Sequence, residues 1–277
     1  MKIFISADLE GVNGVVSPAD IIPGELGYQD SRIRMTEEIN TVTDVLFCEG
    51  AEEVLVCDSH EVSQNVRIDL LDERITLIKG DTRAHSMVHG IDSTYDGLIL
   101  LGHHVMFGTP KAVLDHTYDP IMIRELKVND MACGEVGISA LFAAEQGVPF
   151  IMTSGDDALS KEAKALDPEV EVAVVKKAEG RYCARCLPKK ESHEVLRETA
   201  RKAIQGISSR KCIEVPKEIM LEVTFQQTCM ADGAERVKGV KRVGPMTVTY
   251  KCQSMKEYME MRQVIFCAAA GFYDSRF

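Results

Sequence analysis

The apolar and polar positions of the first 177 residues form blocks that predict strands and helices in alternation. Helical spacing runs over 31–48 and 135–146, and each segment is followed by a glycine, Gly50 or Gly147. Largely apolar runs, typical of buried parallel strands, predict strands at 3–7, 54–57, 98–101, 148–153 and 170–175. This alternation predicts an α/β fold, a three-layer α/β/α domain with a largely parallel sheet.

Shorter patterns fill the connections between these elements. A brief helix is expected at 68–71 and another strand at 75–78. Residues 121–128 followed by Asn129-Asp130 predict an antiparallel hairpin.

The composition changes after about residue 177. Residues 176–190 are basic, carry cysteines and have a turn-like pattern. Ser254 and Glu257 then form a capping box that opens the last helix. Between these features the pattern predicts a helix at 192–206, a strand at 219–225, a helix at 230–237 and a strand at 246–252. We therefore expect two domains, the α/β domain at 1–177 and a smaller C-terminal α+β domain at 178–277.

Composition excludes several classes of function. The chain has 277 residues and a net charge of -11, which argues against binding to nucleic acid or to anionic lipid. No apolar stretch approaches the roughly 18 residues of a spanning helix, and the N-terminus is too acidic for a signal peptide. The nine cysteines are an odd, scattered set. Such usage is typical of reduced thiols and predicts a cytoplasmic protein.

Candidate chemistry lies directly after three of the predicted strands. Ligands gather beyond the carboxyl ends of strands in an open parallel sheet, so these segments should converge. The residues concerned are Asp8 and Glu10, Asp58 and His60, and His103 and His104. Carboxylates two residues apart face the same side of an extended chain, whereas neighbouring imidazoles face opposite sides. We expect a metal site that takes one of the two adjacent histidines, and the spacing leaves open which one.

Each motif alone has a simpler interpretation. Asp8 and Glu10 suit a solvated turn, and His60 suits a hydrogen-bonded loop residue. Glu135 opens a predicted helix, where the helix terminus favours a carboxylate electrostatically. His116 has no ligand-like spacing and by itself indicates a surface or hydrogen-bonded residue.

Two further motifs are weaker still. Cys183 and Cys186 have knuckle spacing, but no second pair follows at the distance of a zinc ribbon, so they are expected to be ordinary thiols. Asp156 and Asp157 follow a predicted strand, and capping of a helix accounts for them.

The ordered combination of motifs resembles the M55 metallopeptidases, D-aminopeptidases of the dipeptide-operon type. His103 departs from the family pattern, which commonly has tyrosine there. The matched segments are Ser6-Ala7-Asp8-Leu9-Glu10-Gly11, Asp58-Ser59-His60, Gly102-His103-His104, His116, Asn129-Asp130 and Gly134-Glu135, and the likeness continues through Gly155-Asp156-Asp157, Lys176 and Arg181.

The resemblance implies a site and a function. It implies His116 as the catalytic residue and a bridging role for Asp8 between two zinc ions. The ligands implied are Asp8, Glu10, His60, His104 and Glu135. All of them lie in the domain at 1–177, which is therefore expected to be the metal-binding catalytic domain. It also implies a homodecamer that hydrolyses the N-terminal residue of short peptides, of the D-alanine type, through a metal-activated water. The alternatives are a dinuclear-metal phosphoesterase and a non-catalytic peptide-binding or assembly protein with a vestigial site.

Overall fold

The computed structural model describes residues 1–276 and contains two β-sheets with helices packed on them. The helices are α1 (Pro18–Ile21), α2 (Tyr28–Cys48), α3 (Glu135–Glu145), α4 (Asp157–Leu166), α5 (Lys189–Gln205), α6 (Thr228–Ala234) and α7 (Met255–Ala270). The strands are β1 (Lys2–Ala7), β2 (Glu53–Asp58), β3 (Thr76–Ile78), β4 (Gly97–Leu101), β5 (Ile123–Val128), β6 (Met131–Ala132), β7 (Phe150–Asp156), β8 (Glu171–Gly180), β9 (Cys183–Cys186), β10 (Ile219–Phe225), β11 (Lys241–Arg242) and β12 (Thr247–Cys252). The predicted mixed α/β fold with a largely parallel sheet is confirmed.

The larger sheet has the order β3-β2-β1-β4-β7-β8-β9. All its neighbouring strands are parallel except β8 and β9, which pair antiparallel. The chain builds β2 and β3 on one side of β1 and then crosses to β4 on the other side. The gap between β1 and β4 is therefore a topological switch point, the place where open α/β sheets bind ligands.

Strand alternation divides the core into two layers. Ile3 and Ile5 of β1 pack with α2 and α5 on one face of the larger sheet, whereas Phe4 points to the other face. On that other face, α3 and the smaller sheet complete a second buried cluster. Because successive side chains of a strand point to opposite faces, a fully apolar strand is what a sheet covered on both sides requires.

The longest helix, α2, packs a stripe of apolar side chains into the core on one face of the larger sheet. Met35, Ile39, Val42 and Leu46 recur at helical spacing, and all four are almost fully buried against the sheet. Within residues 1–276, no helix combines the length and apolar character needed to cross a bilayer.

The smaller sheet is antiparallel, with the order β11-β12-β10-β5-β6. Its centre pairs β10 with β5, which comes from the predicted hairpin in the middle of the chain. Membership of the two sheets does not follow the expected division at residue 177, because β8 crosses that position and β5 joins the later strands. The division into 1–177 and 178–277 stays a prediction.

Two local predictions are wrong. The brief helix expected at 68–71 is a turn, since Leu70 N donates to Arg67 O without a following helical turn. The turn-like segment predicted from 176 is strand as far as Gly180 and then β9. The antiparallel pairing of β8 with β9 provides hydrogen-bond partners for the backbone of this segment. The basic composition did not indicate that the segment forms strands.

Candidate metal centre and active site

The loop after β1 carries two buried carboxylates at the switch point. Asp8 and Glu10 are each only 2% exposed. Asp8 N donates to Leu101 O at 2.8 Å, and Gly11 N donates to Gly102 O at 2.7 Å. These bonds hold the end of β1 against the end of β4, so the acidic loop and the segment with the histidines are fixed side by side.

Two glycines make this close approach possible. A Cβ at Gly11 would lie 2.1 Å from His103 O, and one at Gly102 would lie 2.4 Å from Asp8 O. Gly102 also has a φ of +70°, a left-handed conformation that favours glycine. Any side chain at either position would force the two strand ends apart.

His60 reaches the same place from the loop after β2. Its Nδ1 lies 3.0 Å from Glu10 Oε2 and 3.5 Å from Asp8 Oδ1. Asp58 does not join this cluster; it accepts hydrogen bonds from the backbone N–H groups of Asn65 and Val66 at 2.6 and 2.7 Å. Since Asn65 Nδ2 donates to His60 O, Asp58 sets the shape of the loop that presents the imidazole.

Of the two adjacent histidines, His104 is the one in the cluster. Its Nε2 lies 3.5 Å from Asp8 Oδ2 and 3.4 Å from Glu135 Oε1. The His103 ring is fully buried, and its Nδ1 lies 3.9 Å from Asp8 Oδ2, farther than His104 Nε2. Within residues 1–276, neither ring nitrogen of His103 has a hydrogen-bond partner.

Glu135 and His116 close the cluster. Glu135 is the first residue of α3, and its Oε1 accepts a hydrogen bond from Tyr118 N at 2.6 Å. His116 Nε2 lies 3.9 Å from Glu10 Oε1 and 4.0 Å from Glu135 Oε1. The His116 ring stacks on the His104 ring with 3.8 Å between centroids. The structure thus brings together all six residues for which the sequence implied a metal or catalytic role.

Backbone carbonyls orient all three imidazoles. His60 Nε2 lies 3.0 Å from Ile21 O, His104 Nδ1 lies 2.9 Å from Val105 O, and His116 Nδ1 lies 2.8 Å from Leu114 O. A ring nitrogen beside a carbonyl carries the proton and donates it, so in the neutral tautomer the other nitrogen offers its lone pair to the cluster. A carbonyl partner on the far nitrogen is the usual environment of a metal-binding histidine.

The cluster fits divalent cations. Ligand-type atoms lie within 4.8 Å of one another in three overlapping groups, Asp8-Glu10-His60, Asp8-His104-Glu135 and Glu10-His104-His116. Asp8 Oδ2 and His104 Nε2 are buried and lack hydrogen-bond partners among the described residues. Because buried polar atoms are normally paired, these two atoms fit a cation held between them. Carboxylate oxygens with imidazole nitrogens form a donor set that suits zinc.

The electrostatics of the buried side chains lead to the same conclusion. Burial raises the pKa of Asp8, and the neighbouring Glu10 charge adds to this. Burial disfavours the charged forms of Glu10 and His60, but their proximity lowers the pKa of Glu10 and raises that of His60 far from the usual values. Against the same cost of burial, His104 lowers the pKa of Glu135 to about 2. Three buried carboxylates therefore require positive charge, which protonated imidazoles supply when no metal does.

Sequence reasoning gave no role to Lys176, whose side chain binds the backbone of the loop after β1. The side chain is fully buried on β8, and its Nζ donates to Glu10 O, Val12 O and Val15 O at 2.5, 2.9 and 2.6 Å. Burial lowers its pKa to about 8. A lysine directly after an otherwise apolar strand was the available signal, because a buried ammonium needs several acceptors.

Arg181 supports the segment that carries His116, and sequence reasoning also gave it no role. Its guanidinium donates to the carbonyl and the carboxylate of Asp115, and Leu114 N donates to Arg181 O at 2.9 Å. Arg181 lines a cleft of about 410 Å³ that opens onto Glu10, His60 and His116. The His116 side chain is 13% exposed, more than those of the buried carboxylates beneath it, so His116 is placed to meet a substrate.

The remaining motifs lie elsewhere. Asp156 is the N-cap of α4 and accepts from the N–H groups of Ala158 and Leu159, as expected. Cys183 and Cys186 carry exposed free thiols on β9 and belong to none of the metal-type groups found within residues 1–276.

An α/β fold that gathers carboxylates and imidazoles at a switch point is an arrangement of metal-dependent hydrolases. Comparison with known proteins agrees with this class. The chain belongs to the M55 peptidase family, whose model, described as D-aminopeptidase, matches residues 1–264. The resemblance found in the sequence motifs is confirmed, and the protein is a metallo-aminopeptidase.

One sequence match and one structural match show how far the similarity extends. The D-aminopeptidase of Bacillus subtilis (strain 168) is 33% identical over 258 residues, which cover 93% of each chain. A solved structure, the Zn-dependent D-aminopeptidase DppA from Bacillus subtilis, described as a self-compartmentalizing protease, superimposes with a TM-score of 0.94. It is 32% identical to this chain, and the match covers 98% of both.

Proposed function

We propose that this protein is a dinuclear zinc aminopeptidase that removes the N-terminal residue of short peptides, preferably a D-amino acid of the alanine type. The family supports the aminopeptidase class. The similar structure of a Zn-dependent D-aminopeptidase supports zinc and the D-preference.

One observation carries the proposal of two ions. The two oxygens of Asp8 face different imidazoles, Oδ1 towards His60 and Oδ2 towards His104, each at 3.5 Å. Asp8 would therefore bridge the ions, Glu10 and His60 completing one site and His104 and Glu135 the other. When bound, such a pair polarises a peptide carbonyl and lowers the pKa of a water molecule.

His116 is proposed to move the protons of the reaction. Its Nδ1 is committed to Leu114 O at 2.8 Å, which leaves Nε2 free to accept a proton from the attacking water. The same Nε2 then donates that proton to the amine that leaves. Stacking on His104 and the contact of Arg181 with Asp115 hold the ring over the carboxylates, so little reorganisation is needed.

We also propose a homodecamer in the cytoplasm. The description of the related DppA structure as self-compartmentalizing supports assembly. Large apolar side chains that line the cleft are exposed, among them Ile22 at 46% and Ile121 at 58%, and these are candidates for burial between subunits. The nine cysteines are free, which suits a reducing compartment.

Replacement of His116 tests the function. Zinc-loaded wild type should hydrolyse D-alanine amide faster than L-alanine amide and should not hydrolyse p-nitrophenyl phosphate. His116→Gln should lose about 10²–10⁴-fold in kcat while it retains its zinc, since general acid–base catalysis contributes that much. His193→Gln, at a histidine outside the cluster, is the matched control and should keep full activity.

Two results would contradict this proposal. Zinc-loaded protein that cleaves the phosphate ester but no aminoacyl amide would replace the peptidase by a phosphoesterase. Full amidase activity in His116→Gln would remove this residue from the mechanism and leave the metal centre in place.

A further inference from the structure

A second cleft, of about 400 Å³, lies between α2 and α5, away from the metal centre. Its walls come from the loop after β1, from α2, from the end of β9 and from the start of α5. Pockets of this size accommodate small organic molecules. The catalytic proposal gives this cleft no role.

Three buried polar atoms along this cleft lack hydrogen-bond partners among the described residues: Glu38 Oε2, Asn13 Oδ1 and Ser192 Oγ. Glu38 is 2% exposed and Ser192 is fully buried. Their other groups are already used, because Asn13 N donates to Glu38 Oε1 at 3.0 Å and Asn13 Nδ2 donates to Leu187 O at 2.8 Å. Three buried polar atoms beside one cavity therefore remain available to bond a ligand in the cleft.

Arg34 adds an unpartnered cation to the same wall. It precedes Glu38 by four residues, so the two side chains are neighbours on one face of α2. Within residues 1–276, Arg34 makes no hydrogen bond or ion pair with Glu38 or with any other residue. The adjacent Glu37 is paired with Lys189 at 2.6 Å, which shows that ion pairs across the two helices form where the geometry allows.

These groups define the chemistry of the ligand. The Glu38 and Asn13 oxygens are acceptors, and with the Ser192 hydroxyl they suit a primary ammonium group, which has three donors. The Arg34 guanidinium suits a carboxylate. An α-amino acid carries an ammonium and a carboxylate on one carbon atom, and can therefore bridge two side chains that are neighbours on a helix.

We propose that the cleft between α2 and α5 is a binding site for a free α-amino acid, with its ammonium at Glu38, Asn13 and Ser192 and its carboxylate at Arg34. This site is independent of the metal centre, and the proposal does not rest on the peptidase function. Burial raises the pKa of the Glu38 carboxyl to about 7, as expected for a carboxyl group with few hydrogen-bond donors around it.

An NMR titration of the zinc-loaded protein with alanine tests the proposal. Isoleucine methyl groups serve as reporters, because Ile33 lines this cleft and Ile21 lines the candidate active-site cleft. The Ile33 methyl signal should shift and saturate with its own dissociation constant, whether or not Ile21 responds. Ethylammonium and propionate, which each carry one of the two charged groups, should bind at least tenfold more weakly than alanine.

Arg34→Gln should weaken the Ile33 response to alanine at least tenfold and leave the Ile21 response and the basal peptidase activity unchanged. Arg197→Gln, at a partly exposed arginine of α5 that does not line the cleft, is the matched control and should bind like wild type. A titration that shifts only Ile21, one that shifts neither signal, or an equal Ile33 response in Arg34→Gln would overturn the proposal.

Discussion

Replacement of Glu38 by glutamine should stabilise the protein, and the gain should depend on pH. Glu38 lies on α2 with one carboxylate oxygen paired to Asn13 N and the other unpaired. Burial raises its pKa to about 7 despite the nearby Lys176 ammonium. Glutamine keeps the size of the side chain and the acceptor for Asn13, and it removes the charge that burial disfavours.

The magnitude follows from the difference between the folded and unfolded states. Glu38 has a pKa of about 7 in the folded chain against an ordinary 4.5. The folded state therefore keeps this carboxyl group protonated up to a higher pH than the unfolded state does. The unfolding free energy of the wild type therefore falls as pH rises from about 4.5 to about 7. Above both pKa values the total decrease is about 3 kcal/mol, at 1.36 kcal/mol per pKa unit. Most of that loss, about 2–3 kcal/mol, should develop between about pH 5 and pH 8.5.

Urea denaturation followed by circular dichroism measures the effect, since the chain has no tryptophan for fluorescence. Wild type and Glu38→Gln are compared at about pH 5 and pH 8.5, with zinc saturating and protein concentration fixed. Glu37→Gln, which removes one negative charge beside Glu38, is the matched control and should show no comparable change with pH. If the difference in unfolding free energy between Glu38→Gln and wild type is the same at both pH values, the reasoning is refuted.

Three further predictions test the support of the site. Gly102→Ala should lower the unfolding free energy by more than about 3 kcal/mol or prevent folding, because its Cβ would lie 2.4 Å from Asp8 O; thermal denaturation measures this, and a wild-type Tm would contradict it. Arg181→Met should lower kcat about 10–100-fold with zinc content unchanged, because His116 loses its support through Asp115; steady-state kinetics with metal analysis checks this, and unchanged kcat would count against it. Cys183→Ser/Cys186→Ser should keep the full zinc content, since both thiols are exposed on β9; loss of an ion would instead make them ligands.

Much of the fold and of the site is local enough to be predicted from the sequence. The apolar run at the start of the chain identifies β1. The carboxylates after it lie beyond the carboxyl ends of the strands, because parallel strands end on the same side of the sheet. His60 and His104 follow their own strands in the same way. Strand ends therefore predict a cluster even though its members are far apart in sequence.

The parts that sequence reasoning missed depend on distant contacts. The pairing of β5 with β10 joins the middle of the chain to its last third, and neither strand pattern specifies its partner. Lys176 has the local appearance of a basic turn, but three carbonyls from the loop after β1 surround its ammonium. Arg34 and Glu38 have the spacing of an ordinary helical ion pair, and only the packing of α5 against α2 encloses them in a cleft.

The number of zinc ions per chain tests the central claim most directly. Plasma mass spectrometry of the purified, zinc-loaded protein should give two ions per chain for wild type, about one for His60→Ala and none for Asp8→Ala, because Asp8 is proposed to hold both. Two ions retained in Asp8→Ala, or a single ion in wild type, would contradict a centre in which this one carboxylate joins a pair of cations.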